Sequence, residues 1–92
     1  MHTVELLDEA LSVARQLGYG VRHEWMGGTG GACEIAGKSW LFVDLSSTTD
    51  EQLDLVIDAL KPHQGIHSLK LSPAISHLLN VRPAKTPIEK AA

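Results

Sequence analysis

The chain has 92 residues and a formal net charge of −3 at pH 7, and 43% of its residues are hydrophobic. This length suits one domain with one modest core, and it is too short for a nucleotide-dependent enzyme of the usual two-layer kind. No apolar run approaches the roughly 20 residues that a membrane span requires, so neither a membrane protein nor a membrane partner is expected. The lone Cys33 excludes an internal disulfide, and the acidic N-terminal segment argues against a secretory signal. We therefore expect a cytoplasmic protein.

Charge is unevenly distributed along the chain. Residues 1–59 hold three basic and ten acidic side chains, whereas residues 60–92 hold five basic and one acidic. The second segment either packs against acidic surfaces of its own chain or meets an anionic partner. Its basic residues are scattered and no aromatic residues alternate with them, so the pattern argues against a nucleic-acid partner.

The first predicted element is an amphipathic helix. Thr3 can cap it, and Gly18 can supply the left-handed backbone that ends it. Its apolar positions recur at helical spacing and are Val4, Leu6, Leu7, Ala10, Leu11, Val13, Ala14 and Leu17. We expect this helix to cover a sheet.

Residues 19–45 predict a three-stranded antiparallel meander. They contain both tryptophans, the only phenylalanine and six of the eight glycines. Gly37 and Lys38 suit a two-residue hairpin, and Gly27 to Gly31 suit a five-residue loop. The resulting cross-strand pairs are Ile35 with Trp40, Cys33 with Phe42, Trp25 with Cys33, and His23 with Ile35.

These pairs assign side chains to the two faces of the sheet, because opposite residues share a face. One face is expected to form the core and collects Val21, His23, Trp25, Cys33, Ile35, Trp40 and Phe42. The third strand carries Leu41, Val43 and Leu45 on the other face. These three residues form an apolar strip that stays open unless the last helix covers it. The uninterrupted run from Trp40 to Val43 is typical of an inner strand with two neighbours.

A second helix follows the meander. Thr48 and Glu51 have the spacing of a capping box, and the apolar positions Leu53, Val56, Ile57 and Leu60 recur at helical spacing until Pro62.

The remaining segments are shorter. Residues 66–71 predict a short fourth strand that could lie parallel to the third. Ser72 and Pro73 predict the start of a short helix that ends near Asn80. We expect a single α+β domain over residues 1–82 and a flexible tail over residues 83–92.

The glycine-rich run from Gly27 to Gly31 invites a phosphate-loop hypothesis, because backbone amides can bind an anion. A nucleotide loop runs from a strand into a helix, whereas this loop runs from strand to strand. We therefore favour turn geometry over ligand binding for these glycines.

Cys33 and His23 are the candidate catalytic residues. A nucleophilic thiol needs a base within hydrogen-bond reach and a third group to orient that base, and no such group is evident. A buried cysteine is commonly a small hydrophobic residue, although Cys33 stands next to the glycine loop.

Metal binding is the weakest of the site hypotheses. The chain has five histidines, and His63 and His67 are four residues apart, but they flank Gly65 in a predicted loop and no cysteine pair supports them. We expect neither a metal site nor a cofactor.

Several short motifs resemble those of small uncharacterised bacterial proteins. They are the run from Trp25 to Cys33, the Gly37-Lys38 pair, Asp44 and the helix start at Glu51-Gln52-Leu53. The similarity covers about residues 4–60. It implies a free-standing bacterial cytosolic domain and no particular activity.

Two hypotheses about function follow. The first is a non-catalytic binding or assembly module that recognises a protein partner or a second copy of itself. Its candidate binding residues are Trp25, Gly27, Gly28, Thr29, Gly30, Gly31, Leu41 and Val43. The second is a small thiol-dependent enzyme or redox protein that uses Cys33 with His23.

Overall fold

The computed structural model describes residues 3–80, which form an α+β fold, as the sequence predicts. The helices of this part are α1 (Thr3–Gln16), α2 (Thr49–Leu60) and α3 (Pro73–Leu79), and a 3₁₀ helix spans Gln64–Ser68. The strands are β1 (Gly20–Glu24), β2 (Gly31–Ile35) and β3 (Lys38–Asp44). No helix in the described part is long and apolar enough to span a bilayer. The tail predicted for residues 83–92 lies outside the described residues.

The sheet is mixed, so the prediction of an antiparallel meander is wrong. β3 lies in the centre, with β1 parallel to it on one side and β2 antiparallel to it on the other. The chain leaves β1, crosses the C-terminal end of β3 through residues 25–30, and returns along the far side as β2. The predicted inner position of β3 is confirmed, but its parallel neighbour is β1 and not the segment 66–71.

The segment 66–71 forms no strand, because a tight turn begins just before it. The ring Nδ1 of His63 accepts the N–H of Gly65 at 3.1 Å, and the N–H of Ile66 donates to the carbonyl of His63 at 3.3 Å. These bonds start the 3₁₀ helix and bring Ile66, which is buried, into the core. The alternation of polar and apolar residues therefore does not indicate a strand here, because the buried Ile66 belongs to the 3₁₀ helix.

The boundaries of the helices after the sheet agree with those predicted from the sequence. Thr48 Oγ1 accepts the N–H of Glu51 at 3.1 Å, and the Glu51 carboxylate accepts the N–H of Thr48 at 2.9 Å, which completes the predicted capping box. Ser72 Oγ caps α3, and Asn80 ends it in the left-handed conformation. The Glu9 carboxylate of α1 accepts the N–H of Ser72 at 3.0 Å, which ties the first and last helices together.

The core lies between the helices and one face of the sheet, which we call the helix face. Leu41 and Val43 of β3 are completely buried there, and Val21 of β1 is half-buried beside them. The helices contribute aliphatic side chains, mainly Leu7, Leu11, Val13, Leu53, Val56, Ile57, Leu60, Ile75 and Leu79.

The opposite face, which we call the open face, is the one that the sequence assigned to the core. Its side chains on the three strands are Arg22, Glu24, Cys33, Ile35, Lys38, Trp40 and Phe42. Cys33, Ile35, Trp40 and Phe42 do share a face, as predicted, but the helices pack on the other one. The parallel register of β1 places Arg22 beside Phe42, and Glu24 follows on the same face, so covering it would bury two charged groups. The cost of burying these charges explains why the helices pack on the other face.

Three other residues assigned to that set lie elsewhere. Val21 is in register with Leu41 and lies on the helix face. His23 is in register with Val43 and therefore belongs to the helix face, where it is exposed beyond the helices. Trp25 lies past the end of β1 and is 77% exposed.

The turn between β2 and β3 is shifted by one residue from the prediction. Ile35 pairs with Lys38, so the two central residues are Ala36 and Gly37, with φ of 53° and 80°. Positive φ at both positions defines a type I′ turn, whose twist matches that of the flanking strands. The cross-strand pairs therefore shift by two residues, which places Cys33 opposite Trp40 and keeps the side chains of β2 and β3 in the predicted grouping by face.

Candidate functional site

The glycine loop, residues 25–30, is built around the side chain of Asp44. This carboxylate stands at the C-terminal end of β3 and is only 2% exposed, because the loop crosses over it. Its oxygens accept the N–H groups of Met26 at 2.9 Å and of Gly28. They also accept the N–H of Ser46 at 2.9 Å and its hydroxyl at 2.7 Å. Donors from both sides of β3 therefore converge on one carboxylate.

These donors decide the charge state of Asp44. The Ser46 hydroxyl, together with the backbone N–H groups of Met26, Ser46 and Gly28, holds the pKa of the Asp44 carboxyl well below its usual range. Burial acts in the opposite direction and is outweighed. Asp44 is therefore an ionised, fully hydrogen-bonded side chain at neutral pH.

Two glycines allow the loop to approach β3 this closely. Gly28 has a φ of 95°, which points its N–H at Asp44 in a conformation that other residues rarely adopt. A Cβ on Gly30 would lie 2.7 Å from the carbonyl oxygen of Phe42, so only glycine fits where the loop passes over the strand. Thr29 closes the loop by donating its hydroxyl to the carbonyl of Met26 at 2.8 Å.

This geometry accounts for the resemblance to a phosphate loop. Backbone amides of the loop do bind an anion, but the anion is the chain's own Asp44 carboxylate. The amides of Met26 and Gly28 are therefore already engaged, and the loop ends in a strand and not in a helix. The preference for turn geometry over an external ligand agrees with this arrangement.

The open face of the sheet carries two aromatic rings on its central strand. Trp40 and Phe42 stack with their centroids 6.3 Å apart and their planes inclined by 26°. The helices pack on the other face, and neither ring belongs to the buried core. Ile35, at 51% exposure, and the exposed Cys33 continue this apolar area onto β2.

Glycine and lysine shape the surroundings of Trp40. A Cβ on Gly20 would lie 2.6 Å from the Trp40 ring, so the indole lies flat across β1 and is half-buried against backbone. Lys38 places its Nζ 5.5 Å from the ring centroid, which is within the range of a cation–π interaction. On the far side, Arg22 and Glu24 form an ion pair of 2.7 Å. The aromatic centre is thus bordered by charge.

Cys33 and His23 do not form a catalytic pair. Cys33 lies on β2 opposite Trp40, whereas His23 lies on β1 opposite Val43. Because Trp40 and Val43 point to opposite faces of β3, the thiol and the imidazole lie on opposite faces and at opposite edges of the sheet. The thiol is also exposed and not buried as the sequence suggested.

The candidate binding residues divide into two groups. Trp25, Gly27, Gly28 and Thr29 are exposed on the glycine loop, and Gly30 and Gly31 are half-buried where it joins β2. Leu41 and Val43 are completely buried under the helices, so the expectation that they form an accessible apolar strip is wrong. The accessible apolar surface of β3 is the other face, with Trp40 and Phe42.

The histidines are dispersed. Nδ1 of His63 is occupied by the N–H of Gly65, and its ring lies 6.1 Å from that of Tyr19. Within residues 3–80, no group of three or more His, Cys, Asp or Glu side chains is close enough to hold a metal ion.

Asp44 is the residue that sequence reasoning missed. It ends an apolar strand, and Ser46 stands two residues later, which is a spacing that lets a hydroxyl bond back to a carboxylate. Its partners in the loop are 16 and 18 residues away and become visible only when the loop is known to cross β3. The sequence pattern predicts Trp40 and Phe42 for the core and not for a binding surface, because it assigns the helices to the wrong face of the sheet.

Comparisons of this chain with family models, with curated proteins and with solved structures returned no match.

Proposed function

We propose that this chain is a non-catalytic binding or assembly module that recognises a protein surface through the open face of its sheet. The observation that carries the proposal is the stacked pair of Trp40 and Phe42 on the face opposite the helices. Large aromatic side chains outside the core of a small domain are typical of binding surfaces.

The composition of the open face favours a protein partner. Its centre is aromatic and aliphatic, and its border holds Lys38 on one side and the Arg22–Glu24 ion pair on the other. An apolar centre with a polar rim is the usual anatomy of a protein–protein interface. A nucleic acid is less suited to this face, because Glu24 neutralises Arg22 and the whole chain carries a net charge of −3.

The glycine loop adds a second contact point at the end of the sheet. Trp25 is 77% exposed, and the loop that follows it is fixed to β3 through Asp44. An aromatic side chain on a pre-ordered loop loses little conformational freedom on binding, which favours affinity. The exposed thiol of Cys33 agrees with a cytoplasmic location, where a reducing environment keeps such a group unoxidised.

Site-specific photo-crosslinking in cell extract tests the proposal. A benzophenone amino acid replaces Ile35, which is exposed on the open face, and in a matched control it replaces Asp54, which is exposed on α2. We expect adducts of defined mass from the Ile35 position, at least about tenfold stronger than from the Asp54 position, and a loss of these adducts when Trp40→Ala is added. Equal labelling from both positions, or labelling from Asp54 alone, would contradict the proposal.

A further inference from the structure

β2 is an edge strand whose outer side is open to pairing. It has β3 on one side, and among the described residues no strand lies on its other side. Four of its five residues are exposed, namely Ala32, Cys33, Glu34 and Ile35. The strand contains neither proline nor lysine, two residues with which proteins commonly block a free edge.

The backbone groups at this edge follow from the hairpin. A two-residue type I′ turn is closed by a hydrogen-bonded pair, here Ile35 with Lys38, and such pairs alternate along an antiparallel ladder. The N–H and C=O groups of Gly31, Cys33 and Ile35 therefore point to β3. Those of Ala32 and Glu34 point outward, and no hydrogen bond within residues 3–80 engages them.

We propose that two copies of this chain associate by antiparallel pairing of β2 with β2, about a two-fold axis at Cys33. Ala32 of each copy then exchanges N–H···O bonds with Glu34 of the other, which satisfies the outward backbone groups of both strands. The two sheets become one sheet of six strands, and their open faces become continuous. This inference goes beyond the proposed function, because the pairing uses the edge of β2 and leaves Trp40 and Phe42 on the continuous open face.

Side-chain complementarity selects this register. Glu34 lies opposite Ala32 of the second copy, so the two carboxylates do not oppose each other. Ile35 lies opposite Gly31 of the second copy. A Cβ built on Gly31 meets nothing within 4 Å, and Gly31 is in register with Phe42, so Ile35 of one copy has open space beside Phe42 of the other.

The neighbouring registers are poorer. An axis at Glu34 would place the two Glu34 carboxylates directly opposite each other, where like charges repel. An axis at Ala32 would move Ile35 past the partner strand to the level of Thr29, which belongs to the glycine loop and not to β2. The axis at Cys33 is therefore the register that keeps the ladder, separates the charges and covers Ile35.

Oxidative cross-linking of the purified chain tests the register, because Cys33 is the only cysteine. Directly opposed cysteines in a non-hydrogen-bonded pair lie about 4.5 Å apart between Cα atoms, within the range of a disulfide. The matched control combines Cys33→Ser with Ser39→Cys, which is exposed on β3 and leaves Ile35 in place. Its two thiols would be separated by three strand spacings, or about 14 Å, which is too far to bridge. We expect a covalent dimer at least about tenfold faster from the native chain than from the control.

Sedimentation equilibrium over a concentration series tests the association itself. Ala32→Pro removes an outward N–H without touching the ladder to β3, and Ala32→Ser retains that N–H as the matched control. We expect reversible dimers that Ala32→Pro weakens at least about tenfold and Ala32→Ser leaves unchanged. Ile35→Ser, on an exposed side chain, gives a second variant that keeps the fold and weakens the dimer.

Three results would overturn the inference. They are a monomer at every attainable concentration, equal cross-linking from the native chain and the control, and a dimer that Ala32→Pro and Ile35→Ser leave unchanged. Failure of the proposed pairing can be distinguished from failure of the proposed function. Open-face adducts with another protein, combined with a monomeric chain, would preserve the proposed function and remove only the pairing of two copies.

Discussion

The two faces of the sheet differ in composition and in burial, although one strand supplies the centre of both. Leu41 and Val43 of β3 are completely buried against the helices, whereas Trp40 and Phe42 are half-buried on the open face. The helix face is aliphatic and closely packed by α1 and α2. The open face is aromatic and bordered by charged groups.

This difference shows that side-chain size does not decide which face of a small sheet becomes the core. The neighbours on the edge strand decide it. β1 brings Val21 to the helix face but Arg22 and Glu24 to the open face, and an ion pair is cheaper to leave in water than to bury. The aromatic residues therefore stay outside with the charges, where they are available for contact.

The largest predicted effect is the difference in stability loss between substitutions on the two faces. We expect Leu41→Ala to lower the free energy of unfolding by about 2–5 kcal/mol, because it leaves a cavity in a core that cannot fully collapse. We expect Trp40→Ala to cost about 1–2 kcal/mol, because its ring is half-exposed and packs on backbone. Urea unfolding followed by far-ultraviolet circular dichroism measures both values. A Trp40→Ala cost equal to that of Leu41→Ala would mean that the open face is covered.

Asp44 is the exception on β3, because it is a buried charge at the end of the open face. We expect Asp44→Asn to lower the melting temperature at pH 7 by roughly 5–10 °C, since the amide NH₂ would face N–H donors and leave them unpaired. Ser46→Ala removes one hydroxyl donor and should cost less. Differential scanning calorimetry gives both shifts, and an unchanged melting temperature for Asp44→Asn would contradict the geometry of the loop.

The stabilisation that Asp44 contributes increases with pH. The pKa of Asp44 is lower in the folded chain than in the unfolded chain, so the unfolded state binds more protons and stability rises with pH. The contribution is complete above about pH 4, the ordinary range of an aspartate, and is lost as the pH falls below it. We expect the difference in melting temperature between the native chain and Asp44→Asn to narrow between pH 6 and pH 3. A difference that widens on acidification would contradict this assignment.

Much of the secondary structure could be predicted from the sequence, because it depends on local signals. The capping box of Thr48 and Glu51, the serine cap at Ser72 and the glycine after α1 each satisfy backbone groups within a few residues. The inner position of β3 was also predictable from its uninterrupted apolar run.

Strand order and the inward face were not predictable, because they depend on contacts between distant residues. A loop from β1 to β2 can turn back beside β1 or cross β3, and the Asp44 carboxylate, 16 residues from Gly28, binds it in the crossing path. Once the loop crosses, β1 becomes parallel to β3 and its charges face Trp40 and Phe42. The predicted apolar strip therefore falls on Leu41 and Val43, which the helices cover, and the aromatic pair is predicted for the core.

Gly20 offers a smaller and more local test of the open face. Gly20→Ala introduces a Cβ 2.6 Å from the Trp40 ring, so the indole must move away from β1. We expect a cost of about 1 kcal/mol and a red shift in tryptophan emission, because the displaced ring becomes more exposed to water. The control is Gly20→Ala in a chain that also carries Trp40→Ala. In this background the loss of stability caused by Gly20→Ala should disappear. A cost that persists there would mean that strain elsewhere in β1 is responsible.

The smallest effect concerns the turn that sets the register of the open face. Ala36 adopts a φ of 53° at the first central position of the type I′ turn, where an alanine Cβ is strained and glycine is not. We expect Ala36→Gly to raise the free energy of unfolding by about 0.5–1 kcal/mol, because relief of this strain exceeds the entropy that glycine adds to the unfolded chain. Gly37→Ala is the reverse substitution at the second central position, where φ is 80°. It should lower the free energy of unfolding by a similar amount or more. Because the turn fixes Cys33 opposite Trp40, Ala36→Gly should also leave the rate of Cys33 cross-linking unchanged. A stabilised turn with a changed rate would mean that β2 had slipped along β3.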